Sequence, residues 1–314
     1  MPNQKRRVAI VGARGMLARM VLRSAPSEWD IVALSHPQFD LTDRASARMG
    51  LSAFQPDVII NCAAYTDVDG AESNEALAFS VNAVGPGNLA QVAKELNATL
   101  VHFSSDYVFG GDKTAPYRET DCPDPRSIYG KSKLQGEQLI QDSGLERFFI
   151  VRTSWLYGPG GKNFVESMIR LAQQREELRI VADQFGSPTY TADLTQAALN
   201  LLAEETTDTR KKRTPDPLYG IYHYANEGQC SWHRFAEEIV SLLKTNGETI
   251  KAKLILPIPT TAYPLPAPRP SYSVLSKAKY RKTTGAIVPN WRQALARYMA
   301  NRLNSQSHPQ GGSP

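Results

Sequence analysis

The chain has 314 residues, 41% of them hydrophobic, and a formal net charge of +5. That length suits one large α/β domain with a smaller companion. Three widely spaced cysteines with no C-x-x-C pair exclude a disulfide framework or a zinc site, and no window is apolar enough for a transmembrane span. The polar, basic Met1 to Arg7 precedes an apolar run, Val8 to Val11, too short for a signal peptide, so a reduced, soluble, cytosolic protein is expected. The positive charge would suit an anionic ligand such as a nucleotide. Equally, it is a basic surface without a special partner, because the charges are spread. The one compact run, Lys211-Lys212-Arg213, lies in the polar segment 204–217 and reads as a solvated loop, so no nucleic acid is expected as partner.

Short β-branched runs alternate with amphipathic segments, the pattern of parallel strands joined by crossover helices. Strands are expected at Arg7–Val11, Ile31–Leu34, Asp57–Cys62, Thr99–Phe103 and Phe148–Arg152, several apolar on both faces as buried parallel strands are. Helices are expected at Met16–Ser24, Arg44–Phe54, Gly87–Leu96 and Ser127–Asp142. The fold class is therefore α/β, a doubly wound Rossmann-type parallel sheet. Beyond Arg152, helices are expected at Asn163–Arg175 and Thr191–Glu204, a strand at Ile221–Ala225, and a serine-capped helix at Ser231–Lys244. Pro257 to Pro270 holds six prolines in fourteen residues and is expected to be an ordered loop without regular structure. A helix at Trp291–Asn301 closes the fold, and 304–314 reads as a disordered tail. The expected division is a dinucleotide-binding domain over 1–158, rejoined by 176–205, and a substrate-binding domain from 159–175 and 206–303, with ligand at the carboxyl ends of the strands.

Tyr129 and Lys133 are four residues apart on an expected helix, and so share a face. A phenol has an ordinary pKa of about 10 and is a poor proton donor or acceptor at neutral pH unless phenolate is stabilised, which a lysine ammonium does. Ser105, at the end of an apolar run, supplies a hydroxyl that could hold a substrate oxygen against the phenol. Near the N-terminus, Gly12 and Gly15 follow a strand and open a helix, where free amides and the helix dipole favour a pyrophosphate. The second strand ends at Ser35-His36 without the carboxylate that binds a ribose 2′-hydroxyl, and Arg14 could pair with a 2′-phosphate. NADPH is the expected cofactor, with use of both NADPH and NADH the main alternative. Asp40-Leu41-Thr42 could rim an adenine pocket, and Asp43 could equally cap the next helix. Asn61-Cys62-Ala63-Ala64-Tyr65 offers a small-residue floor for the nicotinamide half.

These motifs recur in order with Val81-Asn82, Ser104-Ser-Asp-Tyr-Val-Phe109, Gly136-Glu137, Arg152-Thr-Ser-Trp-Leu-Tyr-Gly158, Asp183-Gln-Phe-Gly-Ser-Pro-Thr189 and Arg269-Pro270. From about residue 7 to 302 the chain resembles the extended short-chain dehydrogenases/reductases, and within them the dTDP-4-dehydrorhamnose reductase family. The resemblance implies reduction of the C4 keto group of a dTDP-4-dehydro-6-deoxy sugar. Tyr129 would be the general acid, and Lys133 would hold the cofactor ribose. Ser105, where the family more often has threonine, would hydrogen-bond the substrate oxygen. The implied cofactor contacts are Gly12, Arg14, Gly15, Met16, Leu17, Ser35, Asp40, Leu41, Ala63, Ala64, Tyr65 and Asn82, besides Tyr129 and Lys133. Those to the nucleotide-sugar substrate are Ser105, Asp106, Trp155, Asn163, Gln184 and Arg269, the last suited to a diphosphate. Bacterial members can carry a metal-binding glutamate cluster at a dimer interface, but Arg14 and Met16 stand in that region, so no such metal is expected; a homodimer remains compatible. Two other readings share these motifs: an NADP-binding regulatory subunit like the β subunit of methionine adenosyltransferase, and an epimerase that keeps its NAD bound.

Overall fold

A computed structural model of the chain describes residues 5–206 and 217–307. The five expected strands form β1 (Arg6–Val11), β2 (Trp29–Leu34), β3 (Val58–Asn61), β4 (Thr99–Ser105) and β5 (Phe148–Thr153). The helices between them are α1 (Met16–Ser24), α2 (Arg44–Phe54), α3 (Val68–Ser73), α4 (Glu75–Phe79), α5 (Gly85–Glu95) and α6 (Ile128–Asp142). A π-helical turn, Ser80–Val84, joins α4 to α5. The remainder comprises β6 (Leu156–Tyr157), α7 (Phe164–Gln174), β7 (Glu177–Val181), β8 (Phe185–Gly186), β9 (Thr189–Tyr190), α8 (Thr191–Glu204) and β10 (Gly220–His223). It closes with β11 (Cys230–Ser231), α9 (Trp232–Thr245), β12 (Leu254–Ile258), α10 (Ala278–Thr284) and α11 (Trp291–Ser307).

The central sheet runs β10-β5-β4-β3-β1-β2, and every pairing in it is parallel. Alternate residues of one strand feed opposite cores. Val8, Ile10, Val101 and Phe103 pack with α1 and α8, whereas Ala9, Val11, Ile59 and Leu100 pack with α2, α5 and α6. Burial of each such aliphatic side chain is worth about 1.5–3 kcal/mol, which is why unbroken apolar runs end in the middle of the sheet. The strand order reverses between β1 and β3, so crossovers leave to opposite faces and open a crevice at the carboxyl ends of the strands. A third core, around Tyr157, Met168, Ile239, Trp291 and Leu295, joins α7, α9 and α11.

Several expectations change. The strand expected at Ile221–Ala225 is β10, the edge of the central sheet, and Tyr222 and Tyr280 join the core that lies under α1 and α8. β7, within 176–205, pairs with β12 and packs into the third core. The proline-rich segment begins as strand: Pro257 pairs with Ile180 in a two-stranded ribbon, where an outward edge can spare the missing N–H. The last helix runs on to Ser307, past the expected end at Asn301. Residues 1–4, most of the basic loop (207–216) and 308–314 of the expected tail lie outside the described residues. No helix among the described residues is long and apolar enough to cross a membrane.

Candidate active site

The chain leaves β1 through Gly12, whose φ is +78°, and a Cβ there would sit 2.6 Å from the Ala63 nitrogen. Glycine thus lets the turn close against the end of β3. Gly15 caps α1 with no side-chain hydrogen bond, leaving the first-turn amides of the helix to an external acceptor. These features fit a pyrophosphate. A cavity of about 360 Å³ beside the turn is lined by Gly12, Arg14, Gly15, Ser35, Asp40, Leu41, Ala63 and Ala64. Asp40 is not free to roam this pocket: its Oδ1 accepts from the Thr42 amide (2.8 Å) and hydroxyl (2.7 Å), which hold its carboxyl below the ordinary range. Asp43 takes the other role considered for this segment, capping α2 by accepting from the Ala45 and Ser46 amides.

A second cavity, about 560 Å³, adjoins the first across Gly15, Ala63 and Ala64. Met16, Leu17, Ser105, Asp106, Tyr129, Lys133 and Trp155 also line it. Tyr65 and Asn82 line neither cavity. Asn82, fully buried, instead accepts from the Tyr65 amide at 2.8 Å and donates to the Tyr65 carbonyl and the Ser132 hydroxyl, fastening the π turn to α6. Gly136 permits that contact, since a Cβ there would meet the Asn82 carbonyl oxygen at 2.1 Å.

Ser127 caps α6 by accepting from the Gly130 amide at 3.1 Å, which sets Tyr129 and Lys133 on the first turns facing the end of β4. The Ser105 hydroxyl lies on the same side as the Tyr129 phenol, and Tyr107 packs edge-on against its ring at 5.5 Å. Burial pushes the phenol up to about 12, with the neighbouring Ser105 hydroxyl acting in the opposite direction. The Lys133 ammonium, 2% exposed, meets the Phe103 carbonyl (2.7 Å) and the His102 ring (3.3 Å), and burial lowers its pKa to about 8. Asp106 follows Ser105 and accepts from its hydroxyl at 3.0 Å; burial lifts this carboxyl to about 6.

A third cavity, about 690 Å³, lies beneath the proline-rich segment, lined in part by Gln184, Arg269, Met168, Leu178 and Tyr263. Tyr107 and Trp232 line both this cavity and the one holding Tyr129, so the two adjoin; neither residue was singled out from the sequence, although both lie in the quoted runs or beside them. Trp232 stacks on Trp155 with ring centroids 3.4 Å apart, and Trp155 sits at φ +47°, an uncommon conformation for a bulky residue. Gln184 donates to the Thr260 hydroxyl at 3.0 Å. Two expected contacts are already committed. Asn163 caps α7 through Oδ1 and donates through Nδ2 to the Gly158 and Gly161 carbonyls, so both ends of its amide serve the backbone and it lines none of these cavities. Arg269 faces this third cavity but is bidentate to Asp69 (2.6 and 2.7 Å) and donates to the Ala267 carbonyl, so an anion would have to share the guanidinium with Asp69. Among the described residues, no group of three or more His, Cys, Asp or Glu side chains is gathered to hold a metal.

A parallel sheet with a glycine turn at its switch point, and a serine, tyrosine and lysine gathered at the neighbouring strand end, define an extended short-chain dehydrogenase/reductase. The profile described as "RmlD substrate binding domain" matches residues 6–304. The chain is 39% identical over 291 residues to a dTDP-4-dehydrorhamnose reductase of Burkholderia thailandensis, covering 92% of this chain and 96% of that one. It is 39% identical to a spore coat polysaccharide biosynthesis protein of Bacillus subtilis, over 95% of this chain and 99% of the other. The crystal structure of dTDP-4-dehydrorhamnose reductase from Bacillus anthracis in complex with NADP superposes with a TM-score of 0.86 at 39% identity, over 95% of this chain and 99% of that chain. The chain belongs to the dTDP-4-dehydrorhamnose reductase family.

Proposed function

We propose that the protein reduces the C4 keto group of dTDP-4-dehydrorhamnose to give dTDP-L-rhamnose, using NADPH, with NADH as a second donor. One observation carries the reading: Ser105, Tyr129 and Lys133 line one cavity, open on one side to the glycine turn and on the other to the large apolar cavity. Gly12, Gly15 and the uncapped start of α1 would hold the pyrophosphate, and Arg14 and Ser35 would face the adenosine ribose. When bound, the reduced nicotinamide supplies the hydride. Ser105 orients the carbonyl oxygen beside the phenol. Tyr129 is protonated at neutral pH, the form a reductase needs, and gives its proton to the C4 oxygen as hydride arrives; its burial, which disfavours phenolate, makes the Lys133 charge necessary to that step. Lys133, still charged below pH about 8, then faces the phenolate left behind. Trp155 and Asp106 bound the sugar pocket, and Gln184 and Arg269 the nucleotide side.

The reading places the protein in the reducing cytosol, as its three free cysteines allow, and leaves a homodimer open. Incubation with NADPH and dTDP-4-dehydro-6-deoxy-L-mannose tests it. Loss of absorbance at the nicotinamide band with formation of dTDP-L-rhamnose is expected. Tight NADPH binding without consumption would instead favour the regulatory-subunit reading.

A further inference from the structure

Two rows of polar side chains cross the sheet beneath α6. In the strand register Asn61 of β3 stands beside His102 of β4, while Ser104 of β4 stands beside Arg152 of β5 and Arg152 beside His223 of β10. Glu137 sits on the second row, where Ser104 donates to it and Arg152 pairs with it, so that row is closed. Lys133 sits on the first, and here donor and acceptor roles can be assigned.

The Ala63 backbone N–H can only donate, so the Asn61 atom it meets at 3.0 Å is the carbonyl oxygen. The amide nitrogen of Asn61 therefore faces Nδ1 of His102, at 3.0 Å, and Nδ1 must accept. His102 is fully buried, and burial together with the neighbouring Lys133 holds its pKa well below the ordinary range, so the ring is neutral. A neutral imidazole that accepts at Nδ1 carries its proton on Nε2, and that N–H points at Lys133 Nζ, 3.3 Å away. An ammonium has three donors and no acceptor. Charged Lys133 thus meets a donor where a buried lysine ordinarily finds a partner, and keeps the Phe103 carbonyl alone on that side.

We infer that His102 is a positioning residue for Lys133, fixed by Asn61 in the Nε2-protonated tautomer so that it denies the ammonium an internal acceptor and turns its charge toward the cofactor cleft. The inference rests on the reading above in one respect, that Lys133 serves the cofactor side. The ionisable groups around Lys133 are Tyr129 and Glu137 on its own helix, His102 from β4, and Cys62 and Asp106 along the same cavity, with the Glu137 charge neutralised by Arg152 of β5. Burial places the loss of the Lys133 charge near pH 8, so NADPH binding falls as pH rises through that value, since the charged form is the one present below it.

Two measurements test this. The protein has five histidines, so ¹⁵N-histidine NMR with backbone-linked assignment reads the His102 tautomer directly in the unaltered protein. A neutral ring with Nε2 protonated and Nδ1 bare at pH 7 is expected; a protonated Nδ1 overturns the inference. The second uses Asn61→Asp, whose carboxylate still accepts from Ala63 but draws the proton to Nδ1, leaving Nε2 as an acceptor for Lys133. The alkaline midpoint of NADPH binding, followed by fluorescence, should rise by about one unit or more, since a hydrogen bond to a charged group is now gained. In the double variant Asn61→Asp/His102→Phe that shift should vanish. If the midpoint stays where it is in Asn61→Asp, or the double variant keeps the whole shift through charge alone, the imidazole has no such role. Failure of the unaltered protein to bind NADPH at any pH would sink the cofactor reading and leave the tautomer measurement standing.

Discussion

Tyr129→Phe should lower kcat for keto-sugar reduction by about 10²–10⁴-fold, the usual worth of a positioned proton donor, while NADPH affinity and KM change little. The expectation follows from what the substitution leaves in place. A phenylalanine ring keeps the edge-on contact with Tyr107 and the seat on α6, whose cap is Ser127 and not the tyrosine. Only the hydroxyl beside Ser105 is lost. Its proton is needed as negative charge develops on the carbonyl oxygen, so the loss falls on the transition state and spares ground-state binding. Steady-state kinetics with a separate NADPH titration would separate the two. A kcat within a few-fold of the unaltered protein would remove Tyr129 from the chemistry.

The largest stability effect is expected from Arg152→Met. Arg152 and Glu137 are 2% and 0% exposed and share a bidentate pair, with Arg152 also lying over the Phe109 ring and beside His223. Removing the guanidinium leaves a carboxylate buried against the sheet with no counter-charge, a loss of about 3–5 kcal/mol by comparison with other broken buried pairs. Urea unfolding at pH 8 should show this deficit. Replacing both partners, Arg152→Met with Glu137→Leu, should recover most of it, because the cost lies in the uncompensated charge. A single variant as stable as the unaltered protein at pH 8 would mean that the pair does not fasten α6.

How much of this was legible in the sequence follows from the range of the interactions. The five central strands were, because parallel strands buried on both faces need unbroken apolar runs, and Arg7–Val11 or Asp57–Cys62 can satisfy no other environment cheaply. The Ser127 cap and the four-residue separation of Tyr129 and Lys133 are local, and so was the glycine turn. Contacts made at a distance were not. Ile221-Tyr222 reads as a strand, but nothing near it says that its partner is β5. Pro257 reads as a breaker until an edge position excuses its missing N–H. The segment from Val68 to Val84, with an Asp67 cap on α3, is helical by virtue of packing on α6, a contact made at a distance. The site divides the same way. The resemblance implies Asn163 as a substrate contact, and its bonds to the start of α7 and to two glycine carbonyls are visible only once the chain is folded. Arg269 meets Asp69 only because two segments 200 residues apart converge. Lys133 meets the Phe103 carbonyl and the ring of His102, a β4 residue that strand periodicity alone would count as core.

The central claim, that a hydride reaches C4 of a nucleotide-bound sugar while Tyr129 supplies the proton, is tested most directly by running the reaction with NADPH carrying deuterium at nicotinamide C4. The account predicts one deuterium at C4 of the product rhamnose when the label is on the transferred face, and none of that product from Tyr129→Phe on the same timescale. Product lacking deuterium from either labelled face, or bound cofactor that never loses its label in the presence of the keto sugar, would contradict it.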